Sequence, residues 1–451
     1  MDHPLLTRSL HSGIKFGLHT IQTVLQALGS PQKKYPSIHI AGTNGKGSTS
    51  RFLSCALQAL GLKTGLFTSP HIRSVLERFQ VNNQNIAADD LKKALDRIQH
   101  LCTHLIQTQQ IETITFFEAC TAAAFLYFSE QNVDAAVIEV GMGGRLDSTN
   151  VIDSPWVLLT AIGLDHEEYL GHSLSQVALE KAGIIHGGAQ VMLGSMPEEI
   201  SRLIRRHHPQ AHYHLSKKNF SVQSGGAKGN GSNATLIYQS DGPLNGFDFS
   251  IPLPGLYQRH NISLALRTLE LFCPKRMEGH WVDLRKALSQ VSWDGRLHVV
   301  SQNPLLIFDA AHNPHGVEAL MDSLKILYPA TRFSVICGFC KDKDYLQMLS
   351  LLSAICDNIR LVPLDVERGA LPENILKEIS ARPFDSAQAS RELSRTDRTH
   401  PPGASVGESL KSSESFQVAL QDIRAETPDK PILVCGSFYL LEKAYAWLEG
   451  I

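Results

Sequence analysis

Positive charge is not in excess in this chain: 42 Lys and Arg stand against 44 Asp and Glu, for a formal net charge of −2 over 451 residues. That balance gives no basic field of the kind nucleic-acid binders carry. No apolar run approaches the ~18 residues that cross a bilayer. The opening M-D-H-P-L-L-T-R-S-L-H-S-G lacks the charged-then-apolar layout of a secretory signal. Eight cysteines are scattered through apparent helices and strands, so a disulfide framework is not expected. Cys337 and Cys340 make a C-x-x-C with no second pair nearby, a weak basis for zinc or redox chemistry. Internal repeats are also missing. What remains is ordinary soluble globular composition, 43% hydrophobic and 19% charged, in a chain too long for one core. The expectation is a two-domain cytoplasmic monomer that handles small molecules and engages neither nucleic acid nor membrane.

The most informative stretch is 37–48, S-I-H-I-A-G-T-N-G-K-G-S. A short β-branched strand leads into Gly42, Gly45 and Gly47, and a helical pattern (Phe52, Ala56, Ala59, Leu60) follows until Gly61. Strand, glycine loop, lysine and helix together form an anion cradle: loop N–H groups and the helix N-terminus face a polyphosphate, and Lys46 adds a full charge. Gly47 stands where the usual phosphate-loop pattern has a hydroxyl residue, and Ser48 is the nearest substitute.

Strands and helices alternate along the chain. A helix-like pattern covers 14–30. A strand at 64–68 ends in Ser69-Pro70-His71, and helices are expected at 88–107 and 117–129. Further strands read at 135–140 and at 156–162, the second running into Leu164-Asp165-His166. This predicts a mostly parallel sheet covered on both faces. Ligands of such sheets sit beyond the carboxyl ends of the strands, and Lys46, Ser69, Glu139 and His166 all fall there. Residues 225–233 read as a flexible loop, and 255–265 opens another helix. A second series of strands begins after Asp294-Gly295, at 305–308, 333–337, 359–362 and 432–435. The fold class is therefore α/β: a large P-loop mononucleotide-binding domain over 1–294, and a smaller Rossmann-like domain over 295–451. Residues 386–415, rich in Ser, Arg, Thr, Pro and Gly, are expected to form a long disordered loop.

Two residues stand out by chemistry. Glu139 is a lone acid in an apolar strand, where an unpaired carboxylate is costly. Beside a phosphate loop Mg²⁺ is its natural partner, and an ion pair with Arg145 is the structural alternative. Lys181 lies in S-L-S-Q-V-A-L-E-K-A-G-I, where Ser173 and Gln176 read as a capping box. It shares an apolar stripe with Leu174 and Val177. By its residues alone it reads first as a lysine whose stem packs while its amine reaches water.

A-G-T-N-G-K-G-S-T at 41–49, followed by T-S-P-H at 68–71, resembles the folylpolyglutamate synthase/dihydrofolate synthase family of the Mur ligase superfamily. The resemblance runs from Gly17 to Leu440. It implies nucleotide binding by Asn44, Gly45, Lys46, Gly47, Ser48 and Thr49, with Asn261, Arg296 and Asp309 contributing further contacts. It also implies two Mg²⁺ ions, held by Ser69, Glu139, His166 and a carbamylated Lys181. Read alone, His166 is equally a structural histidine. Lys46, Lys181 and His312 would be catalytic, and His312 and Ser437 would hold glutamate. Departures occur at 17–20, at Tyr257 (usually histidine) and at Asp294 (usually proline). The first lies in a region that contributes to pterin binding in the family.

The implied chemistry is ATP-driven ligation of L-glutamate to dihydropteroate and to reduced folates through an acyl phosphate. A one-reaction folate ligase is the alternative. A cell-wall Mur ligase would carry a further domain that the roughly 36 residues before the loop cannot supply. A regulatory NTPase would not need Lys181, Arg296 or the D-A-A-H-N-P run at 309–314.

Overall fold

The computed structural model describes residues 3–7, 17–225, 234–381 and 410–450. Two compact units emerge. The first holds Met1–Pro252 and Gln258–Val291, and the second holds Ser292–Ile451 together with the short segment Leu253–Tyr257.

In the first unit, α1 (Pro4–Thr7) and α2 (His19–Ala27) precede the central strand β1 (Ser37–Ala41), which leads into α3 (Lys46–Ala59). Then come β2 (Thr64–Phe67), β3 (Phe79–Val81), β4 (Gln84–Asn85), α4 (Ala88–Gln107), α5 (Phe116–Glu130), β5 (Ala135–Glu139), β6 (Trp156–Leu159), α6 (Glu167–Leu170), α7 (Leu174–Ala182), β7 (Gln190–Leu193), α8 (Glu198–His207) and β8 (His212–Leu215). The eight strands form one sheet in the order β4-β3-β2-β5-β1-β6-β7-β8, parallel except for β3 and β4 at one edge. A small antiparallel sheet follows, made of β9 (Phe220–Ser224), β10 (Leu236–Ser240) and β11 (Asp248–Phe249), and then α9 (Gln258–Phe272) and α10 (Trp281–Ser289).

Apolar spacing explains the layers. Leu91, Leu95, Ile98, Cys102 and Leu105 recur at helical intervals on α4 and pack with α5 in one core. Val177, Ala178 and Ala182 of α7 join Ile200 and Ile204 of α8 in another. All five residues of β1 and of β5 are buried, as expected of central strands covered on both faces.

In the second unit, β12 (His298–Gln302) pairs antiparallel with β13 (Leu305–Phe308), which is followed by α11 (Pro314–Leu327). Next are β14 (Phe333–Cys337), α12 (Tyr345–Ser353), β15 (Cys356–Leu361), α13 (Pro372–Ala381), β16 (Leu410–Ser412), α14 (Phe416–Glu426), β17 (Ile432–Cys435) and α15 (Phe438–Glu449). Their sheet order is β12-β13-β17-β14-β15-β16, parallel apart from the first pair.

The loop expected over 386–415 does not extend through its last six residues, 410–415. Residues 410–412 pair with β15 as β16, and the Ser415 hydroxyl caps α14 by accepting from the Val418 amide. Leu410 supplies the apolar contact that the surrounding composition hides, being buried in the core of this unit. Residues 386–409, 226–233 and 14–16 lie outside the described residues.

Candidate active site

Register brings the two most informative motifs side by side. Ile40 of β1 is opposite Glu139 of β5, so the phosphate loop and the lone acid leave adjacent strand ends. The loop is tied down on its far side: the Thr43 amide donates to Ala161 O (2.7 Å), the Thr43 hydroxyl to Gly163 O (2.8 Å), and the Thr160 hydroxyl to Asn44 O (2.8 Å). Two of its glycines are obligatory. Gly45 caps α3 with φ of 90°, and a Cβ there would collide with the Asn261 amide. Gly42 has φ of 148°, and a Cβ would fall on the Thr160 hydroxyl. The Asn261 amide donates to Gln258 Oε1 (2.8 Å), and Gln258 in turn donates to the Ser48 hydroxyl (3.3 Å), so α9 is bonded to the first turn of α3. The Thr49 hydroxyl is buried with no hydrogen-bond partner among the described residues.

Two lysines converge on one oxygen. Lys46 Nζ donates to Gly42 O (3.1 Å) and Thr43 O (3.2 Å), while Lys181 Nζ reaches the same Gly42 O at 3.0 Å. Lys181 is only 4% exposed, so its amine points into the phosphate loop and not toward water. Both amines lie within 3.1 Å of the Gly42 oxygen and so at most about 6 Å apart, where two charged ammonium groups repel by at least roughly 3 kcal/mol at an effective dielectric of 20. An anion between them would turn that repulsion into attraction. The helix that carries Lys181 starts differently from the expected capping box. Ser173 does accept from the Gln176 amide, but Gln176 Oε1 accepts from the Ser173 hydroxyl and the His172 amide.

Glu139 is buried, and its Oε2 accepts from the Ser69 amide (3.0 Å), which joins β5 to the T-S-P-H turn. Arg145 does not pair with it; that guanidinium holds Glu180 at 2.9 Å. His71, in the same turn, accepts at Nδ1 from Arg78 Nε (2.8 Å), and burial with that cation lowers its pKa to about 4. His166 has φ of 52° and precedes α6, its amide donating to Asp165 Oδ1 (2.9 Å). Among the described residues, no three His, Cys, Asp or Glu side chains gather as a metal cage. A hydroxyl, a carboxylate and an imidazole at strand ends therefore fit magnesium only where phosphate oxygens and water complete the shell, the ordinary situation for that ion.

In the second unit, Asp309 is buried and serves the backbone. Its Oδ1 accepts from the Ala311 amide (2.8 Å), and its Oδ2 from the Leu297 amide (2.8 Å) and the Tyr257 hydroxyl (3.2 Å). Burial raises its pKa against the opposing pull of Arg296 and these donors. Tyr257, a departure from the family pattern, thus has a partner, and Asp309 braces the turn that presents Arg296. The Arg296 guanidinium lies over the Phe438 ring at 5.4 Å. His312 donates from Nδ1 to Ala310 O (2.9 Å) and packs on the same ring at 5.3 Å. The Ser437 hydroxyl caps α15 by accepting from the Tyr439 amide (3.1 Å).

Sequence reasoning missed the loop 141–150, G-M-G-G-R-L-D-S-T-N. Asp147 is buried there and accepts from the amides of Met142 and Thr149 and from the Thr149 hydroxyl. Its signal was present as a second glycine-rich turn after an apolar strand, with Asp, Thr and Asn at its far end.

A phosphate loop joined through α9, an acid at the neighbouring strand end and a buried lysine facing that loop define an ATP-dependent, amide-forming ligase of the Mur type. The comparisons agree. The Mur ligase middle domain matches residues 40–269, and the Mur ligase glutamate ligase domain matches 295–438. The folylpolyglutamate synthase of Lacticaseibacillus casei is 34% identical over 434 residues, covering 95% of this chain and 94% of that protein. The dihydrofolate synthase/folylpolyglutamate synthase of Bacillus subtilis is 34% identical over 381 residues, with 81% and 85% covered. A solved FPGS-AMPPCP-folate complex superimposes with a TM-score of 0.80 at 31% identity, covering 99% of this chain and all of that one. The chain belongs to the folylpolyglutamate synthase/dihydrofolate synthase family of the Mur ligase superfamily.

Proposed function

We propose that this protein joins L-glutamate both to dihydropteroate and to the glutamate tail of reduced folates, at the expense of ATP. We place it in the cytoplasm as a monomer acting on small molecules, without nucleic-acid or membrane partners. The observation that carries the reading is the convergence of Lys46 and Lys181 on the Gly42 carbonyl, beside the Glu139 strand end. The names of the relatives support both reactions, since one is a folylpolyglutamate synthase and the other carries both names.

A substrate carboxylate oxygen attacks the γ-phosphorus, the bond to ADP breaks, and an acyl phosphate forms. The α-amine of glutamate then attacks the acyl carbon; phosphate leaves with the C–O electron pair, and the nitrogen loses its proton. Carboxylate and γ-phosphate repel, and Lys46 offsets that charge from the helix N-terminus. The backbone amides of Asn44, Gly45, Gly47, Ser48 and Thr49 would cradle the phosphates. Asn261, Arg296 and Asp309 would serve the nucleotide, Asp309 through the turn it braces. His312 and Ser437 would hold the incoming glutamate.

Ser69, Glu139, His166 and, once carbamylated, Lys181 would hold magnesium; two ions there would neutralise phosphate charge and orient the reacting oxygens. Carbamylation joins the neutral Lys181 amine to the carbon of CO₂ with loss of a proton. It replaces one of two mutually repelling cations with a carboxylate.

The test is glutamate-dependent ADP release, measured separately with dihydropteroate and with tetrahydrofolate. Release with both is expected. Release with only one reduces the enzyme to a single reaction, and release with neither refutes the reading.

A further inference from the structure

A buried hydrogen-bond chain crosses the sheet behind the phosphate loop. His39, on β1 three residues before Gly42, sits opposite Ile138 of β5 and Val157 of β6 and is fully buried. Its Nε2 lies 2.8 Å from the Thr149 hydroxyl, which lies 2.6 Å from Asp147 Oδ1. The proton directions follow from chemistry. A carboxylate only accepts, so the Thr149 hydroxyl donates its single proton to Asp147. That oxygen can then only accept from His39, which places the imidazole proton on Nε2. His39 Nδ1 is left buried with no hydrogen-bond partner among the described residues. Burial, helped by His186, lowers the His39 pKa to about 3, so the ring stays neutral.

An apolar residue would fill the same space without an unpaired nitrogen, whose burial costs about 1–3 kcal/mol. What the histidine supplies is direction. Asp147, once oriented, grips the Met142 amide three residues past Glu139. The other end of this loop is bonded to the helix of Lys181. The Arg145 amide donates to Glu180 O (2.8 Å), and Asn150 Nδ2 donates to Gly183 O (3.1 Å) and to Arg145 O (3.0 Å). Gly144 packs so closely on the Lys181 carbonyl that a Cβ would come within 2.7 Å of it. One loop thus connects Glu139, the α7 terminus and the strand that delivers Gly42, the oxygen Lys181 reaches.

We propose that His39 and Thr149 are positioning residues for ligation, a proton-ordered relay that acts through Asp147 to hold Glu139 and Lys181 in register with the phosphate loop. The inference rests on the ligase reading above, but its spectroscopic test does not.

The experiment compares His39→Leu, His39→Gln, Thr149→Val, Thr149→Ser and the double variant His39→Leu/Thr149→Val. Each is assayed well below its own melting temperature. Gln keeps an N–H near the Nε2 position, and Ser keeps the hydroxyl. Expected is a drop in kcat of about 10–100-fold for Leu and Val, the range seen when groups behind a site are removed. Gln and Ser should retain at least about a third of wild-type kcat, and nucleotide Kd should change by less than about 3-fold. The double variant should be no slower than the slower single, because both break one chain. Nitrogen-15 NMR of labelled His39 should show a protonated Nε2 and an unprotonated Nδ1.

A proton on Nδ1, a Gln variant as slow as Leu, or multiplicative losses in the double variant would each overturn the relay. If His39→Leu does not fold, the Thr149 Val/Ser pair and the spectrum decide. A wild-type protein that shows the expected spectrum but no ligation would refute the ligase reading alone.

Discussion

Substituting Gly45 by alanine should damage this protein by a calculable amount. The residue sits at φ of 90° and ψ of −7°, a left-handed conformation that costs an L-residue about 1–2 kcal/mol. The new Cβ would also overlap the Asn261 amide, which must rotate away. That movement breaks the Asn261–Gln258 hydrogen bond and loosens Gln258 from Ser48, at about 1 kcal/mol each. Reduced freedom of the unfolded chain returns about 0.4–1 kcal/mol. The net loss is about 2–3.6 kcal/mol, equivalent to a melting-temperature drop of roughly 3–6 °C for a unit of this size. Scanning calorimetry of wild type, Gly45→Ala, Asn261→Ala and the double variant measures it. Removing the Asn261 side chain removes the overlap, so the two losses should fall short of additivity by about 1–2 kcal/mol. If Gly45→Ala melts with wild type, or the two losses simply add, the steric argument is wrong.

Lys46→Ala should fold with little change in melting temperature and lose ligation, since its amine touches loop carbonyls and not the core; near-normal turnover would contradict the phosphate-loop assignment. Lys181→Ala should also be folded and nearly inactive, with part of the rate restored by a short carboxylate added in trans, whereas full activity would exclude a carbamate at that position. Acid sensitivity should include a contribution from His39. Its pKa in the folded protein, about 3, lies below the ordinary 6.5 of the unfolded chain, so the unfolded state binds more protons between those values. Stability from this group is complete above about pH 6.5 and is lost as pH falls toward 3, by up to about 1.4 kcal/mol per unit. His39→Gln should flatten that limb of a pH-denaturation curve, and an unchanged slope would refute the assignment.

Much of the architecture follows from local pattern. Short apolar runs became most of the parallel strands, and helical spacing between them became the covering layers, because periodicity reports which face must leave water. The phosphate loop was legible for a related reason: its glycines, lysine and following helix are contiguous, so their geometry is set within about twenty residues. Composition misled where a short buried contact was embedded in polar sequence, as at Leu410 in β16.

What sequence alone could not decide is which distant partners meet. Arg145 lies six residues from Glu139 yet pairs with Glu180, because the loop between them is bonded to α7. Lys181 read first as a lysine whose amine escapes to water, and the fold instead aims it at Gly42 O, 139 residues away. His39, Thr149 and Asp147 each looked unremarkable in their own segments and gain meaning only across the β1–β5 register. Tyr257 and Asp309 found one another in the same way, across 52 residues. Strand order and register set these pairings, and they depend on how the whole sheet packs. Local residue pattern determined the elements and the loop that faces phosphate; only the packed sheet determined which buried polar groups complete it, since each such group must find its partner wherever the fold places one.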